Sequence, residues 1–207
     1  RQSLAAWPLV CRPKDKGGMG IVNLTIENKA LLSKHLSKFY NKADIPWVSL
    51  ISNTYYDGVV PHGTVLCGSY WWRDILKLND VFRLHSEVII NMGDSVLFWY
   101  DAWVFLGSSV PLRERFQRLF SFVIDDKVSV REVLSTPNMA DLFHLPLSLE
   151  AMDELNVVQS GLFDLHADAQ IPDYWSWTPG KGVFSAKSYY IVMHSHMATD
   201  TPTRWIW

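Results

Sequence analysis

The sequence predicts an α+β fold, mostly helical with two short antiparallel β-hairpins, and three observations carry that prediction. Apolar residues recur at helical spacing over several stretches, two pairs of β-rich runs each flank a polar turn, and strands and helices lack the regular alternation of a doubly wound sheet. The clearest helix runs from Leu24 to Tyr40, where Leu24, Leu31, Leu32, Leu36 and Phe39 recur with Lys34 and Lys38 between them. A second covers Pro46 to Tyr55, with Pro46 in its first turn and Asp57-Gly58 closing it. A third starts at Ser69, an N-cap residue, and continues through Trp72, Ile75 and Leu76 to near Leu84; Val59 to Gly68, with two glycines and Pro61, reads as a loop. Glu87 to Ile90 and Ser95 to Trp99 flank Asn91-Met92-Gly93-Asp94, which predicts the first hairpin. Helices are expected over Pro111 to Phe120, Val128 to Leu134 and Ser148 to Leu162. Tyr174 to Trp177 and Val183 to Ser185 flank Thr178 to Gly182 as the second hairpin, before a last helix from Lys187 to Met197.

A chain of 207 residues with 48% hydrophobic content can fill a core, and ten Trp, ten Phe and eight Tyr exclude a disordered segment. No apolar run approaches the roughly 20 residues of a membrane span and no signal-peptide pattern is present, so a soluble chain with no membrane partner is expected. The chain begins at Arg1 and stops at Arg204-Trp205-Ile206-Trp207, and both ends read as cut from something longer. Cys11 and Cys67 lack CxxC spacing and read as buried free thiols. The formal charge of −2 hides an asymmetry: residues 1–50 hold eight Lys and Arg against three Asp and Glu, net +5, and the remainder is −7. A basic first quarter suits a phosphate backbone, because neutralised phosphates release counterions; on charge alone an ordinary solvated helix face is the favoured explanation.

Most candidate chemistry fails on spacing. Gly17-Gly18-Met19-Gly20 has Asn23 where a dinucleotide loop needs its third glycine, and lacks the P-loop Lys and Ser/Thr, so it reads as a turn into Ile21-Val22. Asp125-Asp126 has no third carboxylate from a separate strand, as two-metal phosphoryl transfer requires, and reads as a polar turn. His194-Ser195-His196 supplies two imidazoles with no third ligand nearby. No catalytic residue, metal ligand or cofactor is therefore expected, and an independent hydrolase or transferase has no motif behind it.

One constellation is specific. Trp7, Cys11-Arg12-Pro13-Lys14, Gly17-Gly18-Met19-Gly20-Ile21, Asn23-Leu24 and Asn28-Lys29-Ala30-Leu31-Leu32-Ser33-Lys34 resemble the W-x-x-[IV]-C-x-P-K-x-x-G-G-[LM]-G-[IV]-x-[ND]-L signature, with its following N-x-A-L-L-x-K, of plant LINE-like (non-LTR) retrotransposon polyproteins. The resemblance continues at Ser69 to Ile75, and at Met92 to Trp103 against the family's G-[DN]-G-x-x-[IV]-x-F-W-x-D-x-W, here with the single Gly93. It resumes at Asp173 to Trp177 and Gly182 to Tyr190, similar to the lead-in of the reverse transcriptase zinc-binding domain, and ends at Trp205-Ile206-Trp207. Phe143 to Leu147 replaces the Trp and Arg-rich motif usual there.

The resemblance implies a connecting region between a polymerase core upstream and a zinc module downstream, holding neither the catalytic Asp pair nor the zinc ligands. Three segments follow: a basic, mainly helical one over 1–85, a hairpin-plus-helices connector over 86–170, and the start of the zinc-binding domain over 171–207. The implied partners are the rest of the parent polyprotein and RNA or DNA, bound weakly and without sequence preference through Arg12, Lys14, Lys16, Lys29, Lys34, Lys38 and Lys42. Trp71, Trp72, Trp99 and Trp103 are expected in the core rather than as base-stacking platforms. The competing expectation is a structural module or decayed product with no nucleic-acid role; in hydrogen exchange a molten, unprotected chain marks decay and protected hairpins mark a real domain.

Overall fold

A computed structural model of the chain describes residues 6–56, 60, 68–163, 165 and 171–195. A short helix α1 (Trp7–Val10) and a 3-10 turn at Lys14–Lys16 lead to α2 (Leu24–Tyr40) and α3 (Pro46–Tyr55). Asn23 caps α2, its Oδ1 accepting from the Thr25 and Ile26 amides, and Pro46 enters α3 where its missing N–H costs no helical bond. The third expected helix is two, α4 (Tyr70–Leu76) and α5 (Asn79–Leu84), with Ser69 capping the first. The Pro111 to Phe120 helix likewise divides into α6 (Leu112–Arg115) and α7 (Gln117–Phe120), broken at Phe116, whose φ of −120° and ψ of 58° leave the helical region. Then come α8 (Val130–Ser135), entered through a Ser129/Glu132 capping box, α9 (Leu149–Phe163) and α10 (Ala186–Ser195). The expected loop over 59–68 lies largely outside the described residues, as do Cys67, His196 and Trp205 to Trp207.

The α+β class holds, but neither hairpin forms. Strands β1 (Ser86–Ile89), β2 (Ala102–Trp103) and β3 (Tyr174–Trp177) make one mixed sheet of order β2-β1-β3, parallel between β1 and β2 and antiparallel between β1 and β3. Val96, Leu97, Phe98 and Trp99 are all at most 4% exposed. Four consecutive buried residues mark a segment enclosed on every side rather than a half-buried strand alternating between faces. Asp101 gathers this segment: the Leu97 amide donates to its carboxylate at 2.6 Å while the Asp101 amide donates to the Leu97 carbonyl at 3.2 Å. The chain turns there and returns as β2. At the second expected hairpin only a Trp177–Gly182 bridge joins the two sides; Thr178–Gly180 forms a 3-10 turn, and Lys181 and Gly182 take left-handed φ of 54° and 93°.

The core is aromatic. Trp72, Trp99, Trp103, Trp175 and Trp177 are at most 2% exposed and belong to one contiguous apolar cluster with residues from α2 to α10. A buried ionic network threads it. Arg83 Nε donates to Asp101 Oδ1 at 2.8 Å and Nη2 to Oδ2; Nη1 donates to the Tyr40 hydroxyl at 2.7 Å, which donates to Asn79 Oδ1 at 2.7 Å. The guanidinium lies 4.8 Å from the centroid of the Trp175 ring. Burial by itself would lower the Arg83 pKa, but Asp101 and Tyr40 outweigh it and hold the charge firmly in place.

Asp173, 2% exposed, is a second buried acid. It accepts from the backbone amides of Asn91, Gly93 and Ser95 and from the Ser95 hydroxyl, at 2.8 to 3.1 Å. Asn41, just beyond α2, binds β3 with both ends of its amide: Nδ2 donates to the Trp175 carbonyl at 3.1 Å and Oδ1 accepts the Trp175 amide at 2.9 Å.

Candidate nucleic-acid interface

The seven basic residues singled out from the sequence fall into separate groups. On α2, Ala30, Ser33, Leu36, Phe39 and Tyr40 face the core, which fixes where the lysines point. Lys34 and Lys38 stand one turn apart, about 40° from each other around the helix, whereas Lys29 lies about 140° from Lys34. Lys29 therefore belongs to another side. Arg12, Lys14 and Lys16 ride on the loop before α2, and Lys42 follows its C-terminus.

That loop is shaped by its glycines. Gly17 and Gly20 adopt φ of 80° and 72°, and a Cβ on Gly18 would sit 2.1 Å from the Arg12 carbonyl oxygen. The Gly-Gly-Met-Gly run is thus a close-packed turn. Tyr190 of α10 ties it down, its hydroxyl accepting from the Asn23 amide at 3.2 Å and donating to the Cys11 carbonyl at 3.3 Å. Beside this tie a cavity of about 520 Å³ opens between loop and helix, lined by Lys14, Glu27, Lys187 and Ile191 among others. Lys187 was not among the candidates; it carries no local signal of a site, and only the packing of α10 on α2 brings it to Lys14.

Lys42 is differently placed. With φ of 45° it extends its ammonium to Asp94 Oδ2 at 2.9 Å, across the mouth of a cavity of about 450 Å³ that also takes in Asp44, Ser49, Ser52 and Asn53. An exposed pair of this kind contributes about 0 to 1 kcal/mol and leaves Lys42 electrostatically balanced. Arg12, Lys14, Lys16, Lys29, Lys34 and Lys38 make no ion pair among the described residues.

Between Lys34 and Lys38 in sequence, His35 belongs to an aromatic cluster. It meets Trp47 of α3 edge-on at 5.6 Å between centroids and Trp71 of α4 at 5.1 Å. Trp47 and Trp71 are themselves perpendicular, 5.7 Å apart. Burial first, then Lys38 and Lys34, lower the His35 pKa from its ordinary 6.5, so the ring is neutral at physiological pH. Here the expectation for the tryptophans divides: Trp72, Trp99 and Trp103 are core, but Trp71 is 41% exposed. Helix α4 turns Trp72, Ile75 and Leu76 inward, and the residue next to Trp72 is rotated about 100° toward solvent. Nearby on α4, Arg73 lies 4.5 Å over the ring of Tyr70, which is 83% exposed.

The acidic and histidine candidates have structural partners. Asp126 accepts a hydrogen bond from the Tyr100 hydroxyl, which raises the tyrosine's pKa, and Asp125 accepts the Lys127 amide at 2.9 Å as a turn residue does. His194 is buried, with Nδ1 2.8 Å from the Tyr190 carbonyl and its ring stacked on Tyr190. Among the described residues no group of three or more His, Cys, Asp or Glu side chains could hold a metal ion. No described helix is long and apolar enough to cross a membrane.

The geometry defines an α+β chain with an aromatic core, whose longest described helix carries Lys34 and Lys38 and, through His35, meets Trp47 and Trp71. No family model and no solved structure matches it. Two proteins of Arabidopsis thaliana are similar in sequence. The "Putative ribonuclease H protein" is 31% identical over 122 residues, which are 55% of this chain and 19% of that protein. An "Uncharacterized mitochondrial protein" is 27% identical over 118 residues, 53% of this chain and 73% of the relative. The chain thus spans about a fifth of the first relative. These similarities relate it to retrotransposon-related plant proteins.

Proposed function

We propose that the chain is the connecting segment of a LINE-type RNA-directed DNA polymerase polyprotein, between polymerase core and zinc-binding domain, and that it serves as a scaffold rather than a catalyst. It packs against the polymerase and steers template or product by weak, sequence-independent contact with single-stranded nucleic acid. The observation that carries this reading is that Lys34 and Lys38, which make no ion pair among the described residues, flank His35, whose ring meets the partly exposed Trp71 at 5.1 Å. Cations beside aromatic rings are the combination that holds a strand by its phosphates and bases together. The motif residues of the family resemblance support the scaffold half: Asp101, Trp103, Asp173 and Trp175 are buried and hold elements together.

The test is fluorescence anisotropy of a labelled oligothymidine against salt. Binding should weaken steadily as salt rises, with a logarithmic slope of about −0.7 per phosphate contacted, and Lys34→Glu with Lys38→Glu should reduce that slope by about 1.4. Binding indifferent to salt, or none at millimolar protein in low salt, removes the nucleic-acid role.

A further inference from the structure

We infer that Trp71 is the base-stacking platform of this chain, and that it makes the chain prefer unpaired over duplex nucleic acid. This rests on the nucleic-acid reading above and goes beyond it by naming the contact that distinguishes the two forms.

Trp71 combines two properties that usually exclude each other. Its indole is 41% exposed, yet three rings fix its orientation: His35 and Trp47 edge-on, and Trp72 at 6.1 Å with 39° between planes. Trp72 is fully buried, its Nε1–H donating to the Tyr56 hydroxyl at 2.8 Å, so the support behind Trp71 is itself locked. A ring held in place before binding loses little rotamer freedom when a base stacks on it, which is what makes a stacking site effective.

The surroundings select the occupant. His35, Trp47 and Trp71 have centroids 5.1 to 5.7 Å apart, which leaves no room among them for a methylated ammonium and offers only the outer indole surface. Positive charge lies nearby: Lys34 and Lys38, about 6 Å apart along the helix axis, act on His35, whose ring meets Trp71 at 5.1 Å. An apolar protein surface would gain nothing from two ammonium groups that make no ion pair among the described residues, whereas a flexible strand can place a base on the indole and reach the lysines with its phosphates. A duplex keeps its bases stacked on one another and can use only the lysines.

The experiment compares the intact chain with Trp71→Ala and Trp71→Tyr, using fluorescein-labelled oligothymidine and a duplex of equal length at fixed low salt. Trp71→Ala should weaken single-strand binding about tenfold, leave duplex binding and the salt slope unchanged, and Trp71→Tyr should recover most of the loss. In the unmodified chain, one indole N–H resonance should move on titration with oligothymidine and not with duplex, a readout that stands even if the alanine variant folds poorly. Equal single-strand affinity in Trp71→Ala, or no indole resonance moving while salt-sensitive binding persists, overturns the stacking role and leaves the charge-driven reading standing. Absence of any salt-sensitive binding by the unmodified chain overturns both.

Discussion

Asp173, a residue of the family motif, is a buried organiser of the turn at 91–95. Its carboxylate accepts from three backbone amides and a hydroxyl of that segment. Asp173→Ala removes four hydrogen bonds at once and leaves buried donors without partners; urea unfolding should register a loss of about 3 kcal/mol. His35 adds a pH dependence whose sign follows from its lowered pKa. The unfolded chain takes up the proton first, near 6.5, so the stabilising contribution is complete above that pH and is lost as pH falls from 6.5 to the folded value. Unfolding midpoints between pH 7.5 and 5 should fall for the native chain and fall less for His35→Phe. At this scale the sequence shows which residue types matter and hides their partners: Asp173 and Gly93 are 80 positions apart, and no local pattern joins them.

Among the elements, the helices with their own start signals were the legible ones. The second and third helices occupy the expected ranges, Leu24–Tyr40 and Pro46–Tyr55, because Asn23 and Pro46 act locally. The two hairpins read from the sequence do not form. Val96 to Trp99 has strand composition because it is wholly enclosed, and composition alone does not distinguish a buried coil from a buried strand. The glycine turn before the second helix was recognised as a turn, but its tightness comes from the approach of Gly18 to the Arg12 backbone. Gly18→Ala should therefore open it, at a cost of about 2 kcal/mol, and trypsin should cut faster after Lys14 and Lys16 while the rest of the chain stays protected.

Over the whole molecule, segments distant in sequence are interleaved. The strand at 174–177 pairs with 86–89, the last helix packs on the second, and Arg83 joins Asp101 to Tyr40 beneath Trp175. The basic set was visible as a charge imbalance, but its sorting into the Lys34/Lys38 face, the Lys14/Lys187 cavity and the balanced Lys42 depends on packing that charge counting does not see.

Asn41 has one more effect on the molecule's behaviour. Its carboxamide occupies both hydrogen-bonding groups of Trp175 on the open side of the sheet, standing in for a single residue of a missing neighbour strand. A foreign strand seeking to extend the sheet meets a margin already filled at its centre. Asn41→Leu should vacate that margin, and light scattering at rising concentration should then show self-association that the native chain resists.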